Sequence, residues 1–496
     1  MVYLGKPSRA CAHCRRRKLR VGPCCSSDLL LLIFLKCDLR SQACGQCVRA
    51  GLVCGGYRDP NQLRIQDESQ ATRQKAMVGM VKALPPRVQI PLDEKAKGAF
   101  FSHYVIGMGR TYDVLERIDT QSSPDLHLTA SVEAVSLAFF HFQYNSPKAS
   151  SLAREKYLSA LPLVNSALRS PQQLASDSTL LSILFLDLYE KIMHNDPRSS
   201  EAWMSHVRGA LALFKFRTQQ QFRTYVGRRL SVRLFTNMLI SCVGAGAPAP
   251  VALLRLRQEV ASHIDDSDPK WRVTGLVMEY TLLRAELDSK LLSNNEKIRL
   301  AKKLDHKFKV LADNLPASWV RHRISLDKQS TDVLEPYYDV YPDYFVAQTC
   351  NVIRIMRICL NESIRTIYTE MAGEGEDAEY NRSCGLFASQ IIDAMAKEIC
   401  AAGPQLTGGD NIVSKKDDFS PVRRLHCYTL LFPYYMAARY ASPETNILPW
   451  VLNQLKSIAS NPGIRHAERV GKLLESGEHL PPWSVYCILG SYAFAA

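Results

Sequence analysis

The sequence predicts an all-α chain: a small N-terminal metal-binding module over residues 1–60, a linker over 61–95, and a large helical domain over 96–496. Three observations predict it. Eight of the 15 cysteines in this 496-residue chain fall between Cys11 and Cys54. Beyond the linker, apolar residues recur at helical spacing, as in Val352, Ile355, Met356, Cys359, Leu360, Ile364 and Ile367, the mark of one face of a 3.6-residue period. Strand-like alternation is scarce, so the expected core is an array of packed helices. An apolar content of 46% over this length supports a large core, as one big domain or two fused ones.

Cys11 and Cys14 are followed by the basic run Arg15, Arg16, Arg17, Lys18, Leu19, Arg20, and then by Cys37, Cys44, Cys47 and Cys54. The later cysteines have the spacing C-x2-C-x6-C. The first half would need its third cysteine at position 21, which is Val21. Setting residues 21–36 aside makes the two halves identical in spacing. Two close C-x2-C pairs point to metal, because thiolates two residues apart on a turn can reach one tetrahedral zinc with Zn–S near ~2.3 Å. A disulfide framework is the competing reading; the arginine-rich flanks and the lack of a secretory pattern stand against it. Six thiolates give two ions four ligands each only if two sulfurs bridge. Two Zn2+ and six thiolates carry a formal charge of about −2, so a neighbouring basic helix offsets the cluster as well as facing a polyanion.

At these residues the chain resembles the fungal six-cysteine binuclear zinc cluster transcription factors, whose signature is two C-x2-C-x6-C halves with a basic run after the second cysteine. The resemblance covers Arg9 to about Tyr57 by motif and the rest more loosely by helical character. It implies two Zn2+ ions, one held by Cys11, Cys14, Cys37 and Cys44, the other by Cys11, Cys44, Cys47 and Cys54, with Cys11 and Cys44 as bridges. The departure is the 16-residue interruption Val21 to Lys36, which leaves Cys24 or Cys25 open as substitutes for the third ligand.

The charge distribution fits a polyanionic partner. Lys and Arg number 62 against 48 Asp and Glu, a formal charge of +14, and up to Pro60 eleven basic residues face three acidic ones. A short helix is expected over Cys14 to Arg20, since Arg, Lys and Leu are good formers and no breaker occurs before Gly22 and Pro23. By resemblance this helix enters the major groove of duplex DNA. Lys18, with Arg17 beside it, is then the candidate for guanine O6 and N7 contact, while Arg15, Arg16 and Arg20 meet phosphates and fix register. Taken alone, the run reads equally as a nuclear localisation signal or a solvated face.

Within the interruption, Leu29 to Leu35 is an unbroken apolar run. It is far short of the roughly 20 residues that cross a bilayer. Val codons begin GT and the Lys codon AAG ends in AG, so a retained in-frame intron encoding residues 21–36 would account for the insert. The insert is expected to weaken DNA binding by freeing the end of the basic helix and exposing the apolar run beside it. Residues 45–52 mirror the first helix with only Arg49 for charge.

The linker, with Pro85, Pro86 and Pro91, shows no sustained heptad: Leu63, Met77 and Leu84 share a register that Gln70 breaks. Helices follow near 96–118, 131–145, 150–168, 177–193, 198–217 and 221–242, then near 380–401, 420–441, 447–459, 463–475 and 482–494. Leu180 to Tyr189 is apolar on most faces and should be buried. Trp203, His206, Gly209, Ala210, Leu213 and Arg217 resemble the middle helix of the regulatory domain of the same fungal factors. No phosphate-binding Gly loop with Lys, H-E-x-x-H or G-x-S-x-G occurs, and no enzyme is expected. The expected function is sequence-specific regulation of RNA polymerase II genes at CGG-like triplets, in the nucleus. A homodimer, the transcription machinery and a small-molecule effector are further candidate partners, and no membrane association is expected. The alternative is a helical interaction or ligand-sensing protein whose interrupted cluster no longer binds DNA.

Overall fold

The computed structural model describes residues 8–21, 36–59, 70, 73, 90–108, 112, 114–115, 125–193, 209, 211–217, 219–328, 330–373, 377–408, 421–460, 464–478 and 480–489. The chain divides into two compact units, Met1–Gln89 and Ile90–Ala496.

In the first unit, helices α1 (Ala12–Arg16) and α2 (Gly45–Arg49) are one local motif used twice. Cys11 and Cys44 stand at their N-caps. Past each helix one residue turns left-handed, Lys18 at φ 56° and Gly51 at φ 60°. The chain then closes with Leu19 N–H on the Cys14 carbonyl and Leu52 N–H on that of Cys47, both at 2.9 Å, a Schellman-type ending that satisfies otherwise orphaned carbonyls. The helix expected over Cys14 to Arg20 is thus corrected. It begins at Ala12, because Cys11 must cap the turn for both thiols to converge, and it stops at Arg16, ahead of the left-handed Lys18.

Strands β1 (Arg20–Val21) and β2 (Lys36–Cys37) pair in parallel, Arg20 opposite Lys36 and Val21 opposite Cys37. A parallel pair needs a connection of about a dozen residues or more, and residues 22–35 provide one. The two ends of the insert are therefore held side by side, and Cys37 arrives beside the position that Val21 occupies. The expectation that the insert frees the end of the basic helix is corrected by this pairing and by the Leu19 closure. Cys24, Cys25 and the apolar run lie outside the described residues, as do Leu63, Met77 and Leu84 of the heptad test.

The second unit is helical almost throughout its described residues. α3 (Leu92–Ala99) runs on as a π-helical segment, Phe100–Ile106. Then come α4 (Leu126–Tyr144), α5 (Pro147–Arg169), α6 (Asp177–Met193), α7 (Gln219–Arg223), α8 (Tyr225–Ala245), α9 (Val251–Ala261), α10 (Pro269–Leu287) and α11 (Asn294–Asp313). A hairpin of β3 (His322–Ser325) and β4 (Tyr337–Val340) precedes α12 (Tyr344–Met371), α13 (Ala378–Thr407), α14 (Pro421–Tyr440), α15 (Ile447–Ser460), α16 (Arg465–Ser476) and α17 (Pro482–Leu489). The boundaries have chemical causes. Asn145 ends α4 in the left-handed region, and Ser146 accepts from Ala149 N–H to start α5 with Pro147 at its first turn. Asp268, Ser293 and Asp343 cap α10, α11 and α12 in the same way.

The long helices α12 and α13 lie along one another, with α10, α11 and α14 also against α12. As the sequence predicts, α6 is sunk in the core, with Leu180, Leu181, Leu184, Phe185 and Leu188 all buried. Around α12 the apolar spacing misleads in one respect. Arg354, Arg357 and Asn361 fall between the apolar positions, yet they are buried too, because α10, α11, α13 and α14 pack against α12. Arg357 meets Asp305 at 2.8 Å, and Arg354 meets Glu398 at 3.0 Å. The hairpin is registered by Arg323 on β3 reaching the fully buried Asp339 opposite it on β4, at 2.8 Å. Trp203, His206 and Ala210 lie outside the described residues. Arg217 is buried and ties the start of α6, pairing with Asp177 at 2.5 Å and bonding the Ala175 carbonyl.

Candidate metal centre

Six sulfurs converge in the first unit. Cys11 Sγ lies 3.6 Å from Cys44 Sγ and 3.6 Å from Cys47 Sγ, and Cys14 Sγ lies 3.7 Å from Cys44 Sγ. A disulfide would bring sulfurs to about 2.05 Å, and all six are free thiols. A tetrahedron of thiolates about 2.3 Å from a central zinc has edges of about 3.8 Å. The observed separations are close to those edges.

The sulfurs form two sets, Cys11, Cys14, Cys37, Cys44 and Cys11, Cys44, Cys47, Cys54, each with its atoms within 4.8 Å of one another. Cys11 and Cys44 belong to both and form a shared edge. Each set could hold one metal ion. All the cysteines but Cys54 are buried, and Cys54 is half-buried. Cys37 takes the third place in the first set, despite the insert before it.

The surroundings fix the thiols. Cys47 N–H donates to Cys44 Sγ at 3.4 Å. Asp38 accepts from Gly45 N–H at 2.8 Å and pairs with Arg40 at 3.0 Å, while Tyr57 Oη donates to the Arg40 carbonyl. A side chain at position 45 would put its Cβ 2.7 Å from Asp38 Oδ2, so glycine lets Asp38 keep its bond to the Gly45 N–H where the second cysteine turn begins. Asp38, Gly45 and Tyr57 carry no motif of their own; the one signal in the sequence is a glycine directly after Cys44.

Burial pushes the Cys14, Cys44 and Cys47 thiols up, and neighbouring sulfurs push Cys14 and Cys47 further the same way. Burial acts on Cys11 as well, but the adjacent Cys14 N–H and the thiols of Cys14, Cys47 and Cys44 outweigh it and bring this shared sulfur down to about 6. Clustered thiols cannot all ionise without compensating positive charge, which divalent cations would supply.

Arg16, Arg17 and Lys18 are exposed at the end of α1. Arg15 is half-buried and gives Nη1 to the Ala10 carbonyl, so it steadies the chain entering the cluster. Arg20 lies in β1, its side chain outside the described residues. Arg15 and Arg16 lie in the last turn of α1 and Arg17 and Lys18 just past it, where positive charge is favoured by the helix dipole.

Comparison with known families bears on the second unit. Residues 131–243 match the fungal specific transcription factor domain. The match runs from within α4 to near the end of α8 and includes the segment around Gly209 to Arg217. It supports a role in transcription regulation. The same comparison finds no zinc cluster domain. No curated protein and no solved structure matches the chain. Among the described residues, no helix is long and apolar enough to cross a membrane.

Proposed function

We propose that the chain is a non-enzymatic, nuclear regulator of RNA polymerase II genes that reads DNA through a two-zinc cluster. Cys11, Cys14, Cys37 and Cys44 hold one Zn2+, Cys11, Cys44, Cys47 and Cys54 the other, with Cys11 and Cys44 bridging. The observation that carries this reading is the pair of four-thiol sets, each with its sulfurs within 4.8 Å of one another, that share the Cys11–Cys44 edge.

Lys18, with Arg17 beside it, makes base contacts to guanines of a CGG-like triplet in the major groove. Arg16 and Arg20 meet phosphates, and Arg15 does so with the part of its guanidinium not engaged by Ala10. The helical unit, which includes the matched residues 131–243, receives regulatory input and contacts the transcription machinery or a second copy of the chain.

The test is a salt-controlled titration of the zinc-loaded full chain on a CGG-containing duplex and on a scrambled one. The reading predicts tighter binding to the CGG duplex, a steep loss of affinity with salt, and loss of the sequence preference in Lys18→Ala. Equal, weak binding to both duplexes would favour a helical sensing protein whose cluster has left DNA.

A further inference from the structure

A cavity of about 350 Å³ opens in the second unit where the C-terminal ends of α4 and α6 approach α14 and the start of α16. Its volume falls in the range of small-molecule sites, about 300–1,000 Å³. One wall is aromatic. Tyr428 stands edge-on to Phe142 at 5.0 Å and to His466 at 5.4 Å.

Donors share the lining. Gln143 is 2% exposed and its Nε2 meets no acceptor, a rare condition for a buried amide. Arg424 gives Nη1 to the Gln143 carbonyl at 2.7 Å, which holds its guanidinium at the cavity beside that amide. Arg465 and His466 are the first two residues of α16, and Ile464 at the N-cap offers no side-chain acceptor. Among the described residues no side chain caps that helix, whose Ala467 N–H bonds the Ile464 carbonyl at 2.9 Å. No Asp or Glu lines the cavity among the described residues. Capping of α4 accounts for one Arg424 nitrogen; it leaves the orphan Gln143 amide unexplained.

We propose that this cavity binds a small organic anion, its oxyanion head on Arg424, Arg465 and Gln143 Nε2 and its ring-sized apolar body against Phe142 and Tyr428. A planar guanidinium pairs with a carboxylate or phosphate through two parallel N–H donors. The lone amide donor then gains the acceptor it lacks. The site lies within the helical unit and owes nothing to the zinc reading, so either can fail alone.

The experiment uses the full chain with benzoate, phenyl phosphate, inorganic phosphate, benzyl alcohol and benzylamine as probes, read by calorimetry and by melting temperature. Benzoate and phenyl phosphate should bind saturably, with Kd of about millimolar or below, and raise the melting temperature; benzyl alcohol and benzylamine should not. Inorganic phosphate should bind more weakly than phenyl phosphate. Arg424→Gln should weaken the acids about tenfold. Arg465→Gln, at an exposed position that leaves folding untouched, should weaken them several-fold. Gln143→Leu should weaken them while the unliganded protein melts no lower, because its orphan donor is gone. Absence of saturable binding by either acid, equal binding by benzyl alcohol or by inorganic phosphate, or unchanged affinity in both Arg465→Gln and Gln143→Leu would overturn the proposal.

Discussion

Lys18→Gly should tighten metal retention by the N-terminal unit while costing it sequence preference on DNA. Lys18 closes α1 with φ at 56°, where the left-handed backbone costs a residue with a Cβ about 1–2 kcal/mol. Glycine removes that penalty but returns about 0.5–1 kcal/mol of freedom to the unfolded chain. The net gain is roughly 0.5–1 kcal/mol. Because a small metal module folds as it binds its ions, the gain should appear as an approximately two- to fivefold shift in competition with a chromophoric chelator. The second half supplies the control. Gly51 holds the corresponding place at φ 60°, and a Cβ there would meet nothing within 4 Å, so Gly51→Lys isolates the backbone effect and should lose a similar amount. If Lys18→Gly released metal more readily, or Gly51→Lys changed nothing, the claim that Lys18 is held under strain at a functional position would be refuted.

Two further expectations concern the helical unit. Asp305→Leu strands the buried Arg357, which Asp305 meets at 2.8 Å, and should cost about 3–5 kcal/mol; adding Arg357→Met should recover most of the lost melting temperature, and failure to recover any would contradict the pairing account. His426 stacks on Tyr344 at 4.1 Å with Nε2 unpartnered, and burial, helped by Arg423, brings it down from 6.5 to about 4. The folded state therefore takes up this proton less readily than the unfolded chain. Its contribution is complete above pH 6.5 and falls as the pH drops towards 4, by up to about 3 kcal/mol. His426→Phe should flatten that part of the stability profile, and an unchanged profile would show that other groups cause the slope.

The candidate metal-binding cysteines were legible because two close C-x2-C pairs favour a shared ion over a disulfide framework; counting six atoms into eight places called for two shared sulfurs, and the family resemblance pointed to Cys11 and Cys44. How the chain crosses the insert was not. Two-residue strands such as Arg20–Val21 and Lys36–Cys37 carry no periodicity, and nothing in Val21 announces that it will lie beside a ligand. The short helix was displaced because propensity favours Arg, Lys and Leu through Arg20, while the cap at Cys11 and the left-handed Lys18 are fixed by where the thiols must point. In the second unit, helices with a strong apolar repeat, α6 and those from α13 to α16, could be read closely from the sequence. The β3–β4 hairpin could not, since His322 to Ser325 are all exposed and show no alternation. Arg354 and Arg357 fall between the apolar positions of α12, and only the packing of the neighbouring helices reveals that they are inside. Gln143, Arg424 and Arg465 are far apart in sequence, so no local pattern could have joined them.

The central claim is that residues on both sides of the insert assemble one cluster with two bridging sulfurs. Zinc per chain in the purified full-length protein, insert included, measures it most directly. The account predicts two ions per chain, falling below one in Cys44→Ser because both ions share that sulfur. A ratio near one in the unaltered chain, or a Cys44→Ser protein that still retains a full ion, would contradict it.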